Sequence, residues 1–130
     1  MVAILLVDDN VLNSKIMYYY LQEKYKVTCA YSGPEAVNLF KKQHFDAIIM
    51  DIMMPELDGY DTARAIRKIE EEENRIQSIP IIALTANIYD SDRAKCLEAG
   101  MNDFMVKPIN LNILNDILAE QGLKDTSGNE

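Results

Sequence analysis

Four short apolar runs in this chain each end abruptly on a polar or charged residue. The runs and the residues that end them are 4–7 with Asp8 and Asp9, 47–50 with Asp51, 81–84 with Thr85, and 104–106 with Lys107. Short apolar runs bounded in this way are typical of strands that are buried on both faces of a parallel sheet. If the strands are parallel neighbours, three carboxylates, one hydroxyl and one ammonium group converge at one edge of the sheet. We therefore predict the functional site at that edge.

Helical patterns fill the intervals between these runs. Helices are predicted to begin after Asn10, after Ser32, near Gly59, near Asp90 and after Asn110, the second with a Ser32–Glu35 capping box. Such alternation predicts an α/β fold, with a parallel sheet covered by helices on both faces. A further strand, Lys26–Ala30, ends without an acid or a base, so we place it at an edge. Right-handed crossovers then favour a doubly wound, flavodoxin-like (βα)5 sheet of five parallel strands in the order 2-1-3-4-5.

Apolar residues at helical spacing indicate which side of each helix faces the core. The core-facing residues that we predict are Val11, Leu12, Ile16, Met17, Tyr20 and Leu21; Ala36, Val37, Leu39 and Phe40; Ala63, Ile66 and Ile69; and Leu111, Leu114, Ile117 and Leu118. Gly100 and Gly122 are predicted to end the fourth and fifth helices. The acidic run 70–73 is predicted to be a solvated helix end.

Length and charge limit the classes of function. The 130 residues predict one domain over 1–121, followed by a frayed tail over 122–130. A net charge of −8 excludes the basic surface that nucleic acids or anionic membranes would need. Apolar runs do not approach membrane-spanning length. Cys29 and Cys96 fit neither a disulfide framework nor a zinc site, so we expect free thiols in a reducing cytoplasm.

The acidic cluster predicts a site for a hard metal ion. Asp8, Asp9 and Asp51 repel one another when they are brought together, and a dication removes this repulsion. Ligands that are all oxygen, with no His or Cys, select Mg²⁺ or Mn²⁺ over zinc. Lys107 and the Thr85 hydroxyl are suited to phosphoryl oxygens. The set predicts phosphoryl transfer, with the central Asp51 as the nucleophile and the other two acids holding the metal.

Two other functions use similar parts. A magnesium-dependent phosphatase would also pass through an aspartyl phosphate, although such enzymes usually carry a second acid two residues after the nucleophile, where this chain has Met53. A flavodoxin-like mononucleotide carrier should have Ser, Thr and Gly after the first strand, whereas Asp8 and Asp9 would repel a phosphate there. Taken singly, Asp8 could also cap a helix, and Asp51 could open a turn.

Four motifs resemble those of the receiver domain of two-component response regulators. They are Val7–Asn10, Met50–Pro55 with Leu57–Gly59, Ala83–Ala86, and Lys107–Pro108. The resemblance extends from about Val2 to Gln121. Asn10 and the run 96–104 are most similar to receivers of hybrid histidine kinases.

The resemblance implies a role for each site residue. Asp51 would accept a phosphoryl group from a phosphohistidine on a histidine kinase or a histidine phosphotransfer protein. Asp9 and Asp51 would bind Mg²⁺ together with the backbone carbonyl of Met53, and Asp8 would act mainly through water. Lys107 would contact the phosphoryl group, and its peptide bond to Pro108 would be cis.

It also implies a signalling switch that catalyses its own phosphorylation and dephosphorylation. Thr85 would move to hydrogen-bond the phosphoryl group, and Phe104, where the family often has Tyr, would turn inward behind it. The output surface would comprise the fourth helix, the fifth strand and the fifth helix, and a phosphorylation-dependent homodimer is compatible with it. Met53 and Asn87 flank the path of an attacking water and should affect the lifetime of the phosphoryl group.

Overall fold

Five strands and five helices alternate along the part of the chain that the computed structural model describes, which is residues 1–54, 57–86 and 90–123. The strands are β1 (Ala3–Val7), β2 (Lys26–Ala30), β3 (Ala47–Asp51), β4 (Ile81–Thr85) and β5 (Asp103–Val106). The helices are α1 (Val11–Leu21), α2 (Gly33–Lys42), α3 (Gly59–Glu72), α4 (Asp90–Glu98) and α5 (Leu111–Glu120). The predictions for Pro55, for Asn87 and for the tail beyond 123 lie outside the described residues.

The five strands form one parallel sheet in the order β2-β1-β3-β4-β5, which confirms the predicted topology. In the register of the sheet, Val7 pairs with Met50, and Asp51 pairs with Leu84. The carboxyl ends of β1, β3 and β4 are therefore level with one another. This alignment places Asp8, directly after β1, beside Asp51 at the end of β3.

Helices cover both faces of the sheet. Alternate strand residues such as Val7 and Met50 pack in one buried cluster with residues of α2, α3 and α4. The intervening residues, such as Leu6 and Ile49, pack in a second cluster with residues of α1 and α5. Because both faces are covered, the central strands are apolar up to their carboxyl ends, where the polar side chains of Asp8, Asp51 and Thr85 stand.

Helix α1 buries a narrower strip than the sequence predicted. Four side chains that we assigned to the core are exposed: Val11, Leu12, Ile16 and Tyr20. The buried strip is formed by Ser14, Met17 and Leu21, which are three and four residues apart. Because apolar residues occur on all sides of this helix, the pattern of the sequence does not define which side faces the sheet. The prediction for those four residues was wrong for this reason.

Most of the predicted helix ends have the expected hydrogen bonds. The Asn10 side chain accepts a hydrogen bond from the backbone N–H of Asn13 and caps α1. Ser32 accepts from the N–H of Glu35 at 3.2 Å. The Glu35 carboxylate accepts from the N–H of Tyr31 at 2.7 Å, so the capping box reaches one residue further back than its usual form.

The acidic run at the end of α3 is only partly solvated. Glu71, Glu72 and Glu73 are exposed, as predicted. Glu70 is 5% exposed, and the prediction for it was wrong. A carboxylate this deeply buried needs hydrogen-bond donors, and the structure provides them from two directions.

An Arg67–Glu70 pair fastens α3 to the segments before β4 and after α4. Arg67 donates to the Glu70 carboxylate at 2.8 Å and to the Ile79 carbonyl at 2.7 Å. It also donates to the Gly100 carbonyl and to the Asn102 side chain. Glu70 accepts in turn from the N–H of Ile79 at 2.6 Å. The burial of this pair was not predicted, because Ile79, Gly100 and Asn102, which bond to it, are distant in the chain.

We expect Arg67→Ala to lower the free energy of unfolding by about 3 kcal/mol, because it leaves a buried carboxylate without its cation. The matched control is Arg64→Ala, which removes an exposed pair with Asp61 on the same helix and should cost less than about 1 kcal/mol. Urea denaturation of the three proteins measures both values. Equal losses in the two variants would contradict this account of the pair.

Candidate functional site

Three carboxylates lie together at the carboxyl edge of the sheet. One oxygen from each of Asp8, Asp9 and Asp51 lies within 4.8 Å of the other two. Asp8 is 0% exposed and Asp51 is 4% exposed, whereas Asp9 faces the solvent. Two acids thus form the buried floor of the site and the third lies at its mouth.

Asp8 is held firmly but is incompletely paired. Its Oδ1 accepts a hydrogen bond from the backbone N–H of Asn10 at 2.9 Å, and its carbonyl accepts from the Ser14 hydroxyl at 3.2 Å. Its Oδ2 is buried and has no hydrogen-bond donor within the described part of the chain. The Lys107 Nζ lies 3.9 Å from this atom, too far for a hydrogen bond. A buried anionic oxygen in this state is suited to a cation.

The surroundings of Asp8 disfavour its charged form. Burial raises the pKa of the Asp8 carboxyl most, the Asn10 N–H opposes this, and the charge of Asp51 raises the pKa further. A carboxyl with a raised pKa binds its proton more tightly in the folded protein than in the unfolded chain. Its ionised form therefore lowers stability at any pH above the raised pKa. A bound cation would offset this loss.

Asp51 is held from two sides. Its Oδ1 accepts from the backbone N–H of Met53 at 3.0 Å, and its Oδ2 lies 3.1 Å from the Lys107 Nζ. The segment after it folds back, so that the N–H of Gly59 donates to the Ile52 carbonyl at 3.2 Å. A Cβ on Gly59 would lie 2.6 Å from the Asp51 carbonyl oxygen, which is why a glycine is needed at this position. The Asp51 carboxylate is thus fixed by the backbone N–H of Met53 and by the Lys107 ammonium group.

Lys107 and Thr85 reach the same edge from β5 and β4. The backbone N–H of Lys107 donates to the Thr85 carbonyl at 2.8 Å, which ties the two strand ends together. Thr85 is buried, and it lies one residue beyond Leu84, the partner of Asp51 in the sheet. The peptide bond between Lys107 and Pro108 is cis, as the resemblance implied. The structure therefore brings the predicted hydroxyl and ammonium residues to the acidic edge.

Phe104 is half-buried on β5 and packs against the cluster under α2, α3 and α4. The guanidinium carbon of Arg93, on α4, lies 4.6 Å from the centre of its ring. This contact was not predicted, because the two residues belong to different elements.

A cavity of about 350 Å³ adjoins the site and was also missed. Its lining is mostly apolar, with Asp8 and Lys107 at one end: Asp8, Asn13, Ile16, Met17, Tyr20, Lys107, Pro108 and Ile109. Helix α1 carries more apolar residues than one side of a helix can bury, and this excess could have indicated an apolar cavity beside it.

The residues at this edge fit Mg²⁺. The side-chain atoms that could bind a metal here are the carboxylate oxygens of Asp8, Asp9 and Asp51. One of them, Asp8 Oδ2, is buried and lacks a hydrogen bond within the described residues. Hard divalent cations that take oxygen ligands match such a set, whereas zinc and copper favour imidazole or thiolate ligands.

Together, the fold and the site define a flavodoxin-like α/β domain with an acidic pocket and a lysine at its topological switch point. A family profile described as the response regulator receiver domain matches residues 4–119. The chain therefore belongs to the response regulator receiver family, and the predicted family is confirmed. Receiver domains are signalling switches of two-component and phosphorelay pathways, so this membership favours a switch over a phosphatase or a mononucleotide carrier.

Relatives of this chain include receivers within hybrid histidine kinases. Hybrid signal transduction histidine kinase B of Dictyostelium discoideum is 46% identical over 82% of this chain. Histidine kinase 3 of Arabidopsis thaliana is 40% identical over 81% of this chain. The chain spans only 6% and 12% of the length of these two proteins.

Solved receiver structures share the fold. The receiver domain of the sensor histidine kinase PA1611 from Pseudomonas aeruginosa, which has a magnesium ion coordinated in its active site cleft, is 44% identical, with a TM-score of 0.77. The match covers 91% of this chain and 94% of that one. The Ssk1 receiver of Saccharomyces cerevisiae, crystallised with the phosphotransfer protein Ypd1, is 35% identical, with a TM-score of 0.82 and coverage of 95% and 93%.

Helices of bilayer-spanning length and apolarity are absent from the described residues.

We expect Asp8→Asn to stabilise the metal-free protein by about 1 kcal/mol at neutral pH, because a neutral amide removes a desolvated charge and its repulsion with Asp51. Mg²⁺ at about ten times its Kd should add about 1.4 kcal/mol to the wild type and less to the variant. Thermal melts with EDTA or Mg²⁺ measure both effects. The control is Asp116→Asn, at an exposed carboxylate on α5. A destabilised variant that gains as much from Mg²⁺ as the wild type would refute this reading.

Proposed function

We propose that this domain receives a phosphoryl group on Asp51 from a phosphohistidine, in the presence of Mg²⁺, and that the modification switches its surface. The donor would be a histidine kinase or a histidine phosphotransfer protein. The observation that carries the proposal is the Lys107 Nζ at 3.1 Å from Asp51 Oδ2, beside two further carboxylates within 4.8 Å. A lone acid at a strand end would not need this combination of charges.

In the transfer step, a carboxylate oxygen of Asp51 attacks the phosphorus atom of the phosphohistidine. The new bond is P–O, and the P–N bond breaks, so that the imidazole leaves with the electron pair and takes a proton from the solvent. A carboxylate with its neighbours already in place needs little reorganisation for this in-line displacement. In a separate hydrolysis step, a water molecule attacks the same phosphorus, the P–O bond to Asp51 breaks, and inorganic phosphate leaves while the Asp51 carboxylate is regenerated and a proton passes to the solvent.

The other site residues have supporting roles in this proposal. Asp9, Asp51 and the Met53 carbonyl would bind Mg²⁺, with Asp8 acting through water. When bound, the ion neutralises charge on the phosphoryl and carboxylate oxygens. The Lys107 ammonium, now on Asp51, would pass to a phosphoryl oxygen as the charge moves there.

The switch would connect the site to the edge of the sheet that β5 forms. The Thr85 hydroxyl would donate to the phosphoryl group, and the Phe104 ring would turn inward behind it. The face of α4, β5 and α5 would then contact a downstream target or a second copy of this chain. Leu97 and Val106 are exposed apolar side chains on this face and support its use in binding.

The donor must reach Asp51 over the rim of the site. Two exposed residues of α1, Ile16 and Tyr20, line the cavity that adjoins Asp8. They support α1 as the surface that the donor contacts, and the Ssk1 receiver shows that a related domain binds a phosphotransfer protein. Cys29 and Cys96 form no disulfide in the structure, which suits a reducing compartment, so we propose that the exchange takes place in the cytoplasm.

We expect the protein to gain one phosphoryl group when it is mixed with Mg²⁺ and a small acyl phosphate, because such donors supply the same electrophile as phosphohistidine. Intact-mass spectrometry measures the gain. EDTA and Asp51→Ala should each abolish it, whereas Asp61→Ala, at an exposed acid on α3, should leave it unchanged. A gain that persists in Asp51→Ala would show that the acceptor is another residue.

We expect Lys107→Ala to separate metal binding from transfer. Removing a cation that lies 3.1 Å from Asp51 leaves the site more negative, so its Mg²⁺ affinity should rise about tenfold. The rate of phosphoryl uptake should fall about 100-fold, because a charge-assisted contact to the transferring group is lost. Calorimetric titration with Mg²⁺ and timed mass spectrometry measure the two changes. Lys68→Ala, at an exposed residue of α3, is the control. Weaker Mg²⁺ binding in Lys107→Ala would argue against this role for the lysine.

A further inference from the structure

The Phe104 ring lies between the protein core and one cation. Its inner side packs against the cluster under α2, α3 and α4. The Arg93 guanidinium carbon lies 4.6 Å from the ring centre. A cation within about 6 Å of an aromatic ring is attracted to its face, and arginine adds stacking to the attraction of its charge. Phe104 has no hydroxyl, so the position of its ring depends on packing and on this contact.

Sheet geometry relates the ring to the site. Phe104 pairs with Ala83, which precedes Thr85 by two residues on β4. Side chains two residues apart on a strand point to the same face. Thr85, Phe104 and Arg93 therefore follow one another from the acidic edge to the surface of α4.

We propose that Arg93 is a positioning residue that holds the Phe104 ring in the conformation of the unmodified protein. The inference rests on the proposed function, because it takes Phe104 to turn inward once Asp51 carries a phosphoryl group. Turning inward moves the ring away from Arg93, so the contact exists in only one of the two states. A contact that exists in one state only favours that state by the free energy of the contact. By linkage, it lowers the affinity of the site for a phosphoryl group by the same factor.

Ring conformation can be measured without any phosphoryl group. Fluorine-19 NMR of protein labelled with 4-fluorophenylalanine reports on Phe40, Phe45 and Phe104, and Phe104→Leu assigns the third signal. In Arg93→Ala, we expect the inward fraction of Phe104 to rise twofold to fivefold, the range that an exposed cation–π contact would produce. Arg93→Lys, which keeps the charge with less stacking, should rescue part of the change.

Binding of beryllofluoride with Mg²⁺, as a mimic of the phosphoryl group, gives the second measurement. We expect Arg93→Ala to bind it twofold to fivefold more tightly than the wild type. Loss of a positive charge alone would weaken the binding of an anion, so the sign separates the two causes. Arg75→Ala is the matched control, because Arg75 lies 4.3 Å from the Phe40 ring centre, in a contact of the same kind on another ring. It should change the Phe40 signal and leave beryllofluoride affinity unchanged.

The Phe104→Leu background completes the test. There the effect of Arg93→Ala on affinity should disappear, and an effect that persists would overturn the inference. Unchanged affinity or an unchanged Phe104 signal in Arg93→Ala would also overturn it. If the wild type binds no beryllofluoride and Asp51 takes up no phosphoryl group, the proposed function fails, and the linkage to Arg93 fails with it. Binding by the wild type with no effect of Arg93 leaves the proposed function standing.

Discussion

Repulsion among the carboxylates of Asp8, Asp9 and Asp51, an oxygen of each within 4.8 Å of the others, is the constraint on which this structure depends. Two of these acids are buried, where an unbalanced charge is far more costly than in water. The protein offsets part of the repulsion with Lys107 and part with backbone N–H groups. The Asp8 Oδ2 remains without a hydrogen bond among the described residues. The same imbalance that destabilises the fold prepares the site for a cation.

The doubly wound sheet is what creates this crowding. Neighbouring parallel strands with level ends bring Asp8 and Asp51 together from positions more than forty residues apart in the chain. The N–H of Gly59 donates a hydrogen bond to the Ile52 carbonyl, which holds the backbone of Gly59 close to that of Asp51. The site therefore relies on rigid elements for position, whereas Lys107 contributes a charge on a long, flexible side chain.

Helix α4 makes different kinds of contact within the helix and at its carboxyl end. The segment that follows it is fastened to α3 by the bonds of Arg67 to Gly100 and Asn102. Within the helix, the Arg93 guanidinium group lies over the face of the Phe104 ring. In the switch proposed above, a firmly bonded end next to a contact that can break would let α4 respond to the site without unfolding.

Sequence alone determined the strands, their order and the convergence of acids and a lysine at one edge. Strands buried on both faces must be apolar, so a charged residue can follow only at their ends. This pattern lies within a few consecutive residues, so the sequence alone reveals it. The tertiary structure alone decided the burial of Glu70, the exposed side of α1 around Leu12, and the stacking of Arg93 on Phe104. Each of these depends on which distant element lies opposite, and neither helical spacing nor residue type carries that information.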